Sequence, residues 1–358
     1  MLKNIFIKKY KSFDSQVLEL KSLTIFTGLN NTGKSTAIQA LRMCLSEYAA
    51  GGPYINGLGG YAELRSHHAG INDPIEIEVS KEDGAKISLI ISKNSFLHDN
   101  KDLAPLTQFI SADRFGPRVG LPTLGDEVSS LSIGQNGEYS AHFTALLEGC
   151  IIAESLRHPS APGNTLKTQL NWWMSDIAPG IRLDYGVQEK FDMSHLSVNG
   201  HRPTNSGYGI SYALPIVLSL LTMSASIVDD SDPRVAHWFE RIKKSGAFLI
   251  LENPEAHLHP RGQTSLGILA AMASFAGIQV LIETHSDHVL DGIRLAVKLK
   301  ENISAENVRL YFFTKQTNES THAELVALRP DGKLDKWPEG FFDQHSKNLR
   351  ALATGKLQ

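Results

Sequence analysis

Cysteine is almost missing from the 358 residues: Cys44 and Cys150 stand far apart, with no CxxC. That excludes a disulfide scaffold and a zinc ribbon, and a reducing compartment is the simplest reading. An excess of charge is missing too, since 35 Lys plus Arg against 38 Asp plus Glu leave −3. Such a balance excludes a histone-like or tail-driven nucleic-acid binder, while a local basic groove stays open. No long apolar run is present either. The greasiest stretch, Ala213 to Val228, contains Pro215, Ser219, Thr222, Ser224 and Ser226. It falls short of the ~20 apolar residues that a membrane span needs. Residues 1–27 alternate charge and apolar character instead of building the apolar centre of a secretory signal. The expectation is a cytoplasmic protein with no membrane partner. No internal repeat, heptad run or low-complexity segment occurs.

What is present suffices for a core: 42% of the residues are apolar and 20% charged. At ~100–200 residues per domain, the length allows one large domain or two ordinary ones. Short apolar or alternating runs predict strands at 4–8, 17–20, 23–27, 75–79, 87–91, 109–111, 247–251, 278–282, 308–313 and 323–328. Asp83-Gly84 predicts a hairpin between the fourth and fifth of these. Helical spacing follows residue 33 and recurs over 141–156, 166–177, 211–228 and 266–275. Buried strands alternating with helices predict an α/β fold with a largely parallel core.

Gly28-Leu-Asn-Asn-Thr-Gly33-Lys34-Ser35 fits GxxxxGK[ST] at every fixed position. A strand enters it and a helix leaves it. The two glycines let the backbone curl, so that N–H groups along Asn30, Asn31, Thr32 and Gly33, and on to Thr36, turn toward phosphate oxygens. Lys34 then faces the β- and γ-phosphates of ATP, and the Ser35 hydroxyl faces Mg²⁺. A carboxylate for the magnesium is expected at the end of a buried strand, where Glu252 follows Phe248-Leu-Ile-Leu251. Asn253 and Glu255 come next. An amide orients water but takes no proton, so Glu255 is the better candidate base; a helix N-terminal acid is its other reading. His285 ends the next strand, either as a sensor of the γ-phosphate or as a structural histidine. Asn205-Ser-Gly-Tyr-Gly-Ile-Ser211 precedes an apolar helix and forms a second candidate anion site. Bringing that turn onto another subunit's γ-phosphate requires a head-to-tail dimer.

In this order, these stretches resemble the ABC-type ATPase heads of the SMC, RecF and OLD group. Lys3 to Phe13 resembles the group's opening strand, Leu251 to Pro260 its combined Walker B and D-loop, and Glu283 to His288 its switch-histidine segment. Ile110 to Arg118 and Lys336-Trp-Pro-Glu-Gly-Phe-Phe-Asp-Gln344 resemble a class of bacterial AAA-type ATPases with a C-terminal domain of unknown function. The resemblance implies a P-loop NTPase of ABC/SMC-head type, with an antiparallel N-terminal β lobe and a helical insertion. The expected divisions are 1–118, an ATPase lobe with the P-loop; 119–200, a mostly helical insertion; 201–315, a second ATPase lobe; and 316–358, a small C-terminal region. The resemblance also places Lys11 near the adenine or α-phosphate, Gly207, Gly209 and Ser211 in a signature turn acting across a dimer, and His257 and His259 in the D-loop.

Members of the group couple ATP-driven closure to DNA binding, or to a partner nuclease in bacterial defence. Asn253 stands where the catalytic glutamate is expected, which implies slow turnover. No long coiled-coil arm interrupts the chain, and Tyr212 replaces a frequent glutamine. An ATP-bound scaffold with little hydrolysis is one alternative. A metal-dependent hydrolase built on His257, His259, His285 and His288 is another, and a TOPRIM-type nuclease on Asp230-Ser-Asp232 a third. Trp172-Trp173 is either core or a base-stacking platform. Arg294, Lys298 and Lys300 either contact phosphates or form a solvated helix face.

Overall fold

Alternation places the first strands. Ile5 and Ile7, Ile75, Ile77 and Val79, and Ile87, Leu89 and Ile91 are all buried, while the residues between them turn outward. A computed structural model describes the chain except residues 46–51, 71, 228–231, 301, 317–319 and 356–358. Contacts divide it into two units, Met1–Ala104 with Glu283–Asp287 and Ser304–Gln358, and Pro105–Ile282 with His288–Ile303.

The first unit carries a five-stranded antiparallel sheet in the order Phe13–Glu19, Leu2–Tyr10, Ile75–Lys81, Lys86–Ile91, Phe96–Asp99. The predicted hairpin is its third and fourth strands. On the wet face Lys8 meets Glu76 across strands at 2.8 Å and Lys86 meets Glu78 at 2.9 Å; exposed pairs of this kind set register more than stability. Helix Lys34–Leu45 packs its buried stripe of Ala37, Ile38, Leu41 and Cys44 against the sheet. A separate set of strands holds the phosphate-loop motif. Leu23–Gly28, buried at all six positions, pairs in parallel with Val308–Thr314, which pairs antiparallel with His322–Val326. Phe26 meets the edge of Phe313 at 4.9 Å between ring centroids.

The WPEGFFDQ segment explains its aromatic content here. Phe341 is 1% exposed and packs edge-on against Phe312 and Trp337. Burying a phenyl ring of this size is worth about 2–3 kcal/mol, enough to hold the segment that leads into helix Gln344–Thr354.

The second unit centres on parallel strands Leu106–Ile110 and Ala247–Glu252, with Ile278–Glu283 flanking the latter on its other side. Ala247–Leu251 and Ile278–Ile282 are buried at every position, Gln279 included, and the first is the continuous apolar run that a parallel sheet favours. Helices Tyr208–Thr222, Pro233–Ser245, Pro260–Phe275 and Asp287–Leu299 surround this region of the chain in sequence.

Two sequence expectations need correction. The stretch 119–200 is not mostly helical. It holds helices Ser140–Leu147 and Leu166–Ile177, but also a three-stranded sheet of Leu121–Pro122, Met193–Val198 and Leu183–Gln188. Gly186 interrupts one strand, and Ser194, fully buried with its hydroxyl 3.3 Å from Leu121 O, sits on the inner face of another. Both break the apolar alternation by which a strand is recognised. The apolar helix expected over 211–228 begins earlier, at Tyr208, and runs to Thr222; residue 228 lies outside the described residues.

Candidate functional site

The phosphate-loop motif folds as its glycines require. Gly28 has φ +139°, and a Cβ there would lie 2.3 Å from the Phe313 carbonyl oxygen. Gly33 has φ +105°, and its Cβ would strike Thr321 Oγ1 at 2.4 Å. Neither position admits another residue without moving backbone or a buried hydroxyl. Asn31 takes a left-handed φ of 63°, which asparagine tolerates. Thr32 Oγ1 donates to Leu29 O at 2.8 Å, and Thr321 Oγ1 lies 3.0 Å from Thr32 O and 2.7 Å from Ser12 Oγ.

Helix Lys34–Leu45 starts directly from this curl, so its first N–H groups and dipole face the loop. Lys34 is 3% exposed. Its ammonium donates to Gly28 O at 3.1 Å and Leu29 O at 2.8 Å, and stands 3.9 Å from Glu283 Oε1. Burial pulls the Lys34 pKa below the ordinary lysine value, and Glu283 opposes that fall. Ser35 Oγ donates to the two carboxylate oxygens of Glu283 at 3.2 and 3.1 Å.

Glu283 opens the segment Glu283–Asp287, which the Thr284 N–H ties to Phe26 O at 3.1 Å. His285 follows. Partial burial and then the Lys34 ammonium hold its pKa below the usual imidazole value. Beside the loop opens a cavity of about 560 Å³ lined by Lys11, Ser12, Asn31, Gly33, Thr36, Arg65 and Lys315, with His67, His68 and Glu63 at its wall. Lys11 donates to Gln39 Oε1 at 2.7 Å, and burial lowers its pKa. Lys11 thus lines the same cavity as Asn31, Gly33 and Thr36. Arg65 and Lys315 were not anticipated.

In the second unit, strand Ala247–Glu252 ends in a turn that Arg114 clamps. This guanidinium, 2% exposed, donates to Ser111 O at 2.7 Å, Glu252 O at 2.9 Å and Asn253 O at 2.8 Å. Burial brings its pKa down to about 10, with Tyr212, Glu255 and Glu252 pulling the other way. Asn253 has φ 42°, and its side-chain oxygen is buried with no hydrogen-bond partner.

Glu255 lies within the turn, five residues before helix Pro260–Phe275 begins. It is therefore no helix N-terminal acid; His259 caps that helix instead, its Nδ1 accepting from the Arg261 N–H at 3.3 Å. Of the expected signature residues, Gly207 caps helix Tyr208–Thr222, while Gly209 and Ser211 lie inside its first turns. Gly209 is needed for close approach, because a Cβ would lie 2.7 Å from His257 O. Tyr212 meets His257 edge-on at 4.5 Å, and Arg114 lies over the Tyr212 ring at 5.1 Å.

Three family models match stretches of the chain. Residues 4–124 match an AAA domain. Residues 202–291 match a second AAA-domain model, whose description refers to the AbiEii toxin of a type IV toxin–antitoxin system. Residues 303–352 match DUF3696, a protein family of unknown function. Among solved structures, an SmcHead bound to the C-winged helix domain of ScpA superposes with a TM-score of 0.54 at 12% identity, over 91% of this chain and 98% of that one. An Smc head domain bound to the C-terminal domain of ScpA, derived from Pyrococcus furiosus, gives 0.52 at 11% identity, over 99% of both chains. The chain has the P-loop ATPase fold of an SMC-type head. No curated protein sequence matches it. The sequence resemblance to ABC-type heads and to a C-terminal domain of unknown function agrees with these matches.

Among the described residues no three His, Cys, Asp or Glu side chains gather to hold a metal. Of the proposed nuclease pair, Asp230 lies outside the described residues, and Asp232 caps helix Pro233–Ser245 through the Arg234 N–H. Trp173 is core, its Nε1 donating to Leu156 O at 2.9 Å; Trp172 is 39% exposed and stacks on His158. Arg294 pairs with Asp291 at 2.6 Å, and Lys298 and Lys300 are exposed. No helix among the described residues is long and apolar enough to cross a membrane.

Sequence reasoning missed Glu283 and Arg114. The signal for Glu283 was a lone charge closing a buried, largely apolar strand. For Arg114 it was an arginine in a polar turn directly after a strand.

Proposed function

We propose that the chain binds ATP with Mg²⁺ at the Gly28–Ser35 loop, hydrolyses it slowly, and uses ATP-dependent pairing of two copies to gate DNA or a partner effector. The observation that carries the reading is the loop itself: two glycines that tolerate no Cβ, a helix N-terminus, and a buried lysine set at its opening. In this reading Lys34 exchanges its carbonyl partners for β- and γ-phosphate oxygens. The N–H groups from Asn30 to Thr36 cradle the phosphates, and Lys11 lies along the cavity that receives the rest of the nucleotide. Bound Mg²⁺ supplies charge neutralisation between the phosphates, and the Ser35 hydroxyl and a carboxylate fit such an ion. By the order of the motifs, Glu252 supplies a magnesium carboxylate, while Glu255 and Asn253 serve the attacking water. An amide at Asn253 favours slow hydrolysis, because it takes no proton from that water.

The AAA-domain matches and the SMC-head fold support the ATPase reading. The two Smc heads named above are each bound to a ScpA domain, which supports a protein partner for this chain as well. The AbiEii description supports a place in bacterial defence. The pairing claim is tested by mass from light scattering on the Glu255→Gln protein, which retains its nucleotide. ATP should raise the mass to that of a dimer, or compact a dimer already present, and ADP should not. Ser211→Arg should block the change and leave ATP binding by the single subunit within about twofold. Identical mass and shape in both nucleotides would remove the pairing mechanism.

A further inference from the structure

The loop's lysine and serine share one partner that no motif requires. Glu283 is 5% exposed, its carboxylate oxygens lie 3.1 and 3.2 Å from Ser35 Oγ, and Oε1 lies 3.9 Å from Lys34 Nζ. Its neighbour Thr284 is bonded through its N–H to Phe26 O, in the strand that leads into the loop. The carboxylate is thus fixed against the two side chains that face phosphate and metal.

We propose that Glu283 is a metal-selecting carboxylate: it makes the loop accept the magnesium complex of a nucleoside triphosphate and reject the metal-free anion. The inference rests on the reading of the loop as a triphosphate site. Two physical effects carry it. First, a buried anion beside Lys34 cancels much of the positive charge the loop offers, and charges repel strongly where water is excluded. A metal-free triphosphate, with about four negative charges at neutral pH, then meets a carboxylate at the point where its terminal phosphates must sit. Second, Ser35 gives its only hydrogen to Glu283, which turns the lone pairs of its oxygen outward as a cation ligand. With a divalent ion on that oxygen, the same carboxylate faces a dication, and repulsion becomes attraction. One residue therefore penalises ATP alone and favours ATP with its metal.

The test is equilibrium binding of ATP by the full chain, in Mg²⁺ and in EDTA, for the wild type and Glu283→Gln. The amide keeps the size of the side chain and an acceptor for Ser35, and Lys34 keeps its two carbonyl partners. Wild type should bind far more tightly in Mg²⁺ than in EDTA. In Glu283→Gln, binding in EDTA should strengthen and binding in Mg²⁺ should weaken, so that the ratio of the two dissociation constants falls at least tenfold. An unchanged ratio in a folded Glu283→Gln protein overturns the proposal. If that variant does not fold, Glu283→Asp, which keeps the charge but draws it back by one methylene, should give a ratio reduced at least threefold, and a ratio equal to wild type overturns the proposal equally. A wild type that binds ATP in neither condition would instead defeat the triphosphate reading on which the inference stands.

Discussion

The two units treat their buried polar groups in opposite ways. Around the phosphate loop of the first, side chains pair with side chains as well as with backbone: Lys34 with Glu283, Ser35 with Glu283, Thr321 with Ser12. The Glu283 contacts of Lys34 and Ser35 can be exchanged for ligand atoms without touching the backbone, although Lys34 also donates to Gly28 O and Leu29 O. In the second, one side chain serves backbone only. Arg114 satisfies three carbonyls around the turn after Glu252, while the Asn253 side-chain oxygen has no partner. The first arrangement suits a surface that changes partners during binding. The second suits a turn whose path must stay fixed while a side chain waits for something to bind. Buried polar groups in proteins are nearly always satisfied, so the place where satisfaction is exchangeable, or incomplete, marks where chemistry is expected.

The contrast makes Arg114→Ala the most damaging change. It strips a buried guanidinium from three carbonyls, and leaving a buried acceptor unsatisfied costs about 1–3 kcal/mol each. Urea unfolding should show that loss, and Arg114→Lys, with one point charge for three diverging acceptors, should recover less than half of it. A loss below about 1 kcal/mol would mean that the turn holds itself. Next is Glu255→Gln, expected to lower ATP turnover by ~100-fold or more, in the range of a lost general base, with ATP binding retained. A wild-type rate in that variant, alongside a dead Glu252→Gln, would make Glu255 structural and leave Asn253 and solvent to handle the water.

The smallest effect concerns pH. His142, 8% exposed, accepts the Leu124 N–H on Nδ1 at 2.8 Å. Burial first, and then Arg234, lower its pKa below the usual value. A group whose folded pKa is lowered in this way binds its proton more readily when unfolded. Stability should therefore be full above the ordinary imidazole pKa of about 6.5 and decline as pH falls below it, by no more than ~1.4 kcal/mol per pH unit for this one group. Replacement by Gln should flatten the slope between pH 7 and 5.5. An unaltered slope would assign the acid sensitivity to other groups.

The sequence made the central strands and the phosphate loop legible because each is a local signal. Leu23–Gly28, Ala247–Glu252 and Ile278–Glu283 are short, largely apolar runs, and the loop's spacing is a matter of eight consecutive positions. The strands at 183–188 and 193–198 were not legible, since a glycine and a buried serine erase their period. Nor was the role of Glu283, whose partner Ser35 is 248 residues away. Periodicity carries no information over such a distance; only the chain's return through the fold creates the pair. Arg114 is the same case at a separation of 138 residues from Glu252. Glu255 shows the converse: a local reading as a helix-start acid was available, and the turn that delays the helix to Pro260 removes it.

The most direct measurement is the affinity of the folded Lys34→Ala protein for ATP in Mg²⁺, set beside that of the wild type by equilibrium titration. Removing one charge-assisted contact of about 1.5–3 kcal/mol should weaken binding at least tenfold, with the thermal unfolding profile retained. Equal affinity in the two proteins would contradict the account, because the buried ammonium at the loop's opening would then have no part in holding phosphate.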